Sequence, residues 1–232
     1  MSMESMRRGL KKHRTVVIII IAILIVGLVS SFAFMGAGGN KFNSATQGDN
    51  VEQVQAQIDS LEKYIAEFEP EGEELTFSEN KLLADNYLSL MGLYLQINET
   101  SKLNEHMEEG VKYYKAALDT APKDLNDLGK AQIYSSIGLM QFYNSQTSEA
   151  KANFKKALRL AETDLDINNQ YAFVLYYVDG IEAVVNHLNG LKKLLSDENE
   201  LAAVDSMISY YQEADAAATA NQENNSDDSL EK

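Results

Sequence analysis

The chain contains no cysteine. Disulfides, thiolate metal sites, a cysteine nucleophile and a lipid-modified cysteine are therefore excluded. Only two prolines occur, Pro70 and Pro122. Proline breaks helix interiors, so its scarcity permits long helices. Strand-like alternation is missing. No phosphate-cradling glycine loop, nucleophile elbow or zinc-protease histidine pair is present. No loop has the spaced Asp/Asn pattern with glycine that holds calcium. Histidine is limited to His13, His106 and His187. Glu105 and His106 are adjacent, so a helix points them to different sides, and position 110, where a further ligand would stand, is Gly110. His106 is expected on a solvated surface, and His187 partly buried or at the surface. The expectation is a protein without enzymatic activity, metal or cofactor.

Charge is also missing from Thr15 to Met35. At about 1.5 Å per helical residue, the apolar run from Val16 spans a hydrocarbon core of about 30 Å. The cluster Arg7, Arg8, Lys11, Lys12 and Arg14 precedes it. Residues 1–14 are thus expected as a basic cytoplasmic terminus, 15–35 as a transmembrane helix, and the remainder as extracytoplasmic. The rival is a cleaved secretory signal, with Ser31 and Ala33 as small residues at the cleavage site. The length of the run favours the anchor, because a signal's apolar core is usually about 7–15 residues. The chain has 20 Lys/Arg and 35 Asp/Glu. Five of the first and one of the second lie in residues 1–35, which leaves a net −19 for the rest. Such a domain repels nucleic acid and anionic lipid surfaces and favours neutral or basic partners.

Residues 36–50 are glycine-rich and polar and read as a flexible linker. In 51–69, Val51, Val54, Ile58, Leu61, Ile65 and Phe68 recur at spacings of three and four, a heptad seam on an amphipathic helix. The seam is short for a coiled coil. It serves either to pack the helix on the following domain or as a juxtamembrane dimerisation surface. Pro70 and Gly72 end the helix. From 78 to 220 helix follows helix with short breaks.

A period appears in this region. Gly138, Ala150, Phe154 and Ala157 are spaced by 12, 4 and 3. A shift of 34 meets Ala172, Val184, Leu188 and Leu191, small or apolar residues in the same order. The stretch 131–164 resembles the tetratricopeptide repeat, in which small residues let two helices nest closely. Gly138 resembles the family's first-helix glycine, with Tyr134 at the usual tryptophan position. Ala150, Phe154 and Ala157 resemble its second-helix signature. In 85–122, Gly92, Gly110, Tyr114, Ala117 and Pro122 follow the pattern with six extra residues around Gln96–Asn104. A second insertion covers the loop 123–129. The unit 165–198 keeps the 34-residue spacing but few signature residues. Its first helix is expected to start after Thr163, with Asp166 completing a capping-box-like start, and its turn at Asp179-Gly180.

The resemblance implies an all-α fold: an antiparallel helical-hairpin, right-handed α-solenoid behind the membrane helix. Leu201, Val204, Ile208 and Tyr211 form the apolar stripe of an expected C-terminal capping helix over 197–218. Residues 221–232 are expected to be a disordered acidic tail. The resemblance also implies repeat packing at Gly92, Gly138, Ala150, Phe154 and Ala157. First helices of such repeats line a concave groove. The inward positions would include Leu139, Phe142, Tyr143, Asn169, Phe173, Tyr176 and Tyr177. These aromatics either pack between units or bind a partner, since aromatic rings bury much area at small entropic cost. No lysine or arginine stands at the inward positions, which argues against a carboxylate clamp and for an apolar or basic peptide. The expected function is a membrane-tethered adaptor or chaperone-like module of the bacterial cell envelope, binding a protein or peptide. The alternative is a scaffold or spacer that forms a homodimer through 51–68.

Overall fold

A computed structural model describes residues 47–68 and 74–227, with side chains within 51–68 and 74–219. The segment 1–35 expected to anchor the chain lies outside the described residues. No helix within them is long and apolar enough to cross a membrane. Everything described is helix, turn or loop, in eight helices: α1 (Gln47–Phe68), α2 (Phe77–Gln96), α3 (Leu103–Asp119), α4 (Asp127–Tyr143), α5 (Thr147–Leu160), α6 (Leu165–Asp179), α7 (Ile181–Lys192) and α8 (Glu198–Asp227).

Local chemistry sets the helix starts. Thr76 and Glu79 form a reciprocal capping box at α2: Oγ1 of Thr76 accepts from the Glu79 N–H, and the Glu79 carboxylate accepts from the Thr76 N–H at 3.0 Å. Asn126 caps α4 by accepting from the Gly129 N–H at 2.7 Å. Asp164 caps α6 by accepting from the Ile167 N–H at 2.9 Å. The start of α6 therefore lies one residue later than expected, because the carboxylate of Asp164 reaches the free N–H. Gly180, at φ +82°, makes the turn into α7, a left-handed conformation that glycine adopts without strain.

The helices pair in order: α2 with α3, α4 with α5, and α6 with α7. Short connections make each pair an antiparallel hairpin. The connection 97–102 is three residues longer than the connection 144–146 of the next hairpin, and the remaining excess of the first unit lies within α3 before Gly110. First helices of neighbouring hairpins also touch, α4 with α6, and α8 packs on α7 and α6. One apolar cluster joins α1 to α4, centred on Ile58, Leu83, Leu90, Met107 and Met140, all fully buried. Another joins Phe154 on α5 to Tyr171, Val184, Leu188 and Val204. Leu139 packs against both.

At the centre of α4–α5, a Cβ placed on Gly138 would lie 2.8 Å from ring atoms of Phe154 and 3.1 Å from the Ala150 carbonyl oxygen. Only a glycine permits this approach. Ala150, Phe154 and Ala157 are fully buried beside it. Gly92 is different: a Cβ there would meet nothing within 4 Å. The close-packing position in the first hairpin is Gly110, whose added Cβ would meet the Tyr87 Cβ at 2.9 Å and the Met140 side chain at 2.5 Å. The role expected at Gly92 thus falls to the second helix alone, because the long connection 97–102 shifts α3 along α2.

Two further expectations change and one choice between alternatives is decided. The last four residues of the expected linker, 47–50, belong to α1. On α1, Val54, Ile58, Leu61 and Ile65 are at most 7% exposed within a single chain, in the cluster that α2 shares. Each such side chain contributes about 1.5–3 kcal/mol on burial. Of the two roles for the heptad seam, the structure has the helix packed on the hairpins. Finally, α8 runs to Asp227, so part of the tail expected to be disordered is helical.

Candidate partner-binding face

The expected inward aromatics come together on α4 and α6. Phe142 meets Phe173 edge-on at 5.6 Å and lies 6.1 Å from Tyr177. Tyr143 lies 6.2 Å from Phe173, and Phe173 meets Tyr177 at 4.9 Å. Tyr176 and Tyr177 are edge to face at 5.3 Å. The Phe142–Phe173, Phe173–Tyr177 and Tyr176–Tyr177 pairs set a positive ring edge against a negative face, the favoured geometry, and the other two contacts are tilted. Phe142, Tyr143, Phe173 and Tyr176 are half-buried, whereas Tyr177 is 65% exposed. Leu139 is half-buried between the two apolar clusters. One layer of rings therefore has a packed underside and an open ring at its crest.

The helix α8 extends this surface. Tyr211 lies 5.6 Å from Tyr176, and Tyr210 meets Tyr211 edge-on at 5.2 Å. The Tyr211 hydroxyl donates to the backbone oxygen and Oδ1 of Asn169, both at 3.4 Å. Asn169 thus fixes the cap on α6 and is half-buried. Tyr211 was legible only as part of an amphipathic stripe, and Tyr210 stood outside that stripe. Their membership in the ring surface depends on the lateral placement of α8, which no local spacing reports.

Electrostatics keep these phenols protonated. Burial pushes Tyr143, Tyr176, Tyr210 and Tyr211 above the ordinary tyrosine value. At Tyr176 the Asp215 carboxylate adds to it. Around Tyr177 the face therefore offers hydroxyl donors at neutral pH as well as ring surface. Beneath it, Ser135 on α4 donates to Oε1 of Gln170 on α6 at 2.6 Å. Buried Asn153 donates to Gln141 at 2.7 Å, tying α5 to α4.

Basic side chains are sorted by helix. The second helices α3, α5 and α7 carry Lys112, Lys115, Lys151, Lys155, Lys156, Arg159 and Lys192. The first helices α2, α4 and α6, with α8, carry only Lys81 and Lys130. Those two pair with Asp85 at 2.7 Å and Asp127 at 3.9 Å on their own helices. A surface hollow of about 450 Å³ lies at α3 and the α4–α5 turn, lined by Lys112, Lys115, Gln141 and Asn144. It is not at the ring surface. It is shallow and lined mainly by charged and amide side chains, without an aromatic ring, so the open ring face and not the hollow is the better candidate for binding.

His106 is not where a solvated histidine belongs, whereas His187 is partly buried, in keeping with its expectation. His106 on α3 stacks on Tyr94 at 5.5 Å and lies 5.7 Å from Tyr87. Its Nε2 is 3.5 Å from the Glu62 carboxylate of α1 without hydrogen-bond alignment. The distance counts as an ion-pair contact only when the ring is protonated. Glu62 also accepts from the Tyr94 hydroxyl at 2.5 Å and from Lys102 at 3.0 Å. Burial raises the Glu62 pKa, but these hydrogen bonds and the charges of Lys102 and His106 outweigh it, holding the carboxyl below its usual range. His106 was read as solvated because its partner stands 44 residues away. His187 meets Tyr171 edge-on at 5.1 Å, and burial pushes its pKa down against a backbone hydrogen bond with Asn168. Among the described residues no group of three or more His, Asp or Glu side chains is disposed to hold a metal. No protein family matches the chain, and no curated protein or solved structure is similar enough to count as a relative.

Proposed function

We propose that the chain is a membrane-tethered protein-binding module, adaptor or chaperone-like, whose extracytoplasmic hairpins stack as a right-handed solenoid of tetratricopeptide type. The observation that carries this reading is the continuous ring surface across α4, α6 and α8, with Tyr177 65% exposed at its crest. Exposed aromatic clusters of this kind mark interaction sites. The nesting of Gly138 with Ala150 and Phe154 supports the repeat assignment, and so does the cover that α8 gives the last hairpin. The uncharged run 15–35 behind its basic flank supports the tether and the orientation. Self-association through 51–68 is disfavoured, because the seam residues are already buried within one chain.

The test is site-specific photo-crosslinking in intact cells. A benzophenone side chain is placed at position 177, and separately at the exposed position 155 on α5, which is not part of the ring surface. A discrete protein adduct from 177 and not from 155 is expected. Matching adducts from both positions, or none from 177, reject the reading.

A further inference from the structure

The sorting of charge narrows the kind of partner. Between Leu194 and Glu231 there are ten acidic residues and no lysine or arginine. The helix α6 likewise has Asp166 and Asp179 but no cation. Elsewhere this chain lays its own cations on tyrosine rings: Lys156 sits 5.2 Å from the ring centre of Tyr134, and Lys112 5.5 Å from that of Tyr113. Among the described residues, no lysine or arginine is so placed at Tyr177, the most exposed ring of the surface. Asp215 lies one helical turn beyond Tyr211, and so on the same side of α8. The Tyr211 ring lies 5.6 Å from that of Tyr176, tilted by 41°, which brings Asp215 alongside Tyr176, the neighbour of Tyr177. The upward push that the Asp215 charge exerts on the Tyr176 phenol agrees with that proximity. Asp215 is half-exposed, and no ion pair among the described residues engages it.

We propose that the ring face is a seat for a lysine or arginine side chain of the docking partner, held over the open face of Tyr177 beside the Asp215 carboxylate. The inference rests on the docking reading and adds the chemistry of the occupant. A cation meets the negative face of the ring and a carboxylate at one edge. The flanking rings Phe142, Phe173 and Tyr176 take apolar neighbours of that side chain. The partner segment is therefore basic and apolar in alternation. An acidic segment is repelled by α8, and no cation on α4, α6 or α8 other than the paired Lys130 is available to receive it.

The probe is a dye-labelled twelve-residue peptide of alternating leucine and lysine, with two counterparts of the same sequence. One carries acetyl-lysine, which keeps the stem and removes the charge, and one carries glutamate. Binding to the full-length chain in zwitterionic lipid nanodiscs is followed by fluorescence anisotropy. The lysine peptide is expected to bind at least about tenfold tighter than the acetyl-lysine peptide, and the glutamate peptide weakest. Tyr177→Leu is expected to remove most of that preference while the far-ultraviolet circular dichroism stays unchanged. Asp215→Asn is expected to reduce it in part. Equal affinity for the lysine and acetyl-lysine peptides overturns the inference and leaves the docking reading standing. A lysine preference that survives Tyr177→Leu also overturns it, since a long-range field would then be responsible. Failure of all three peptides to bind overturns both.

Discussion

At the scale of single residues, Gly138 and Gly92 make a controlled pair. Both are interior helical glycines, and alanine is the better helix former by about 0.8–1.0 kcal/mol. At Gly138 an added methyl meets the Phe154 ring and the Ala150 backbone, which cannot yield. Gly138→Ala is therefore expected to destabilise by about 1–3 kcal/mol, the usual range for overpacking. At Gly92 the methyl meets nothing, and Gly92→Ala is expected to stabilise by up to about 1 kcal/mol. Denaturant titration of both variants measures the two signs, and the same sign in both contradicts the packing described. The Gly138, Ala150, Phe154 and Ala157 nest was legible because the four residues lie within one hairpin with a short turn. Gly92 misled because its spacing to Gly110 runs through the connection 97–102, whose length alters how α3 lies on α2. The surroundings of His106 were illegible for a related reason. Its neighbours Glu62 and Tyr94 come from other helices, whereas local sequence offers only Glu105 and Glu108.

At the scale of elements, α1 is held by an apolar seam and by one polar junction at Glu62. The junction has a definite pH signature. The Glu62 pKa is held below the ordinary glutamate value of 4.5 in the folded chain. A carboxylate so depressed adds stability above its unfolded pKa and loses it as pH falls through the folded value. Wild type is thus expected to melt higher than Glu62→Gln at neutral pH. The gap should close as pH drops below about 4.5, toward pH 3. Calorimetric melting curves of the two proteins across that range test this, and a gap independent of pH would show that the carboxylate charge is not what binds α1. Sequence periodicity located the seam of α1 residue by residue, yet left open whether it faces another copy or the hairpins. That choice depends on the complementary apolar surface of α2, which only the packed chain displays. The end of α8 illustrates the opposite limit: polar composition argued for disorder after Ala220, while the helix continues to Asp227.

At the scale of the whole molecule, acidic excess opposes compaction. The formal net charge is −15, and α8 contains no basic side chain with which to offset its own acids. The ion pairs along the hairpins are mostly exposed, and such pairs contribute little, typically 0–1 kcal/mol. Screening should therefore relieve more repulsion than attraction. Raising sodium chloride from about 20 to about 200 mM shortens the screening length from roughly 20 Å to roughly 7 Å. The melting temperature is expected to rise by about 2–5 °C, as read by circular dichroism. A fall would mean that attractive pairs dominate the surface. The placement of cations on second helices has another outcome. It gives the hairpin region a permanent sideways electric moment. An approaching charged body would exert a torque on it, drawing α5, whose four cations outnumber its single acid, toward a negative surface, and α8, which has acids and no cation, toward a positive one, so a visitor would turn the hairpins before touching them.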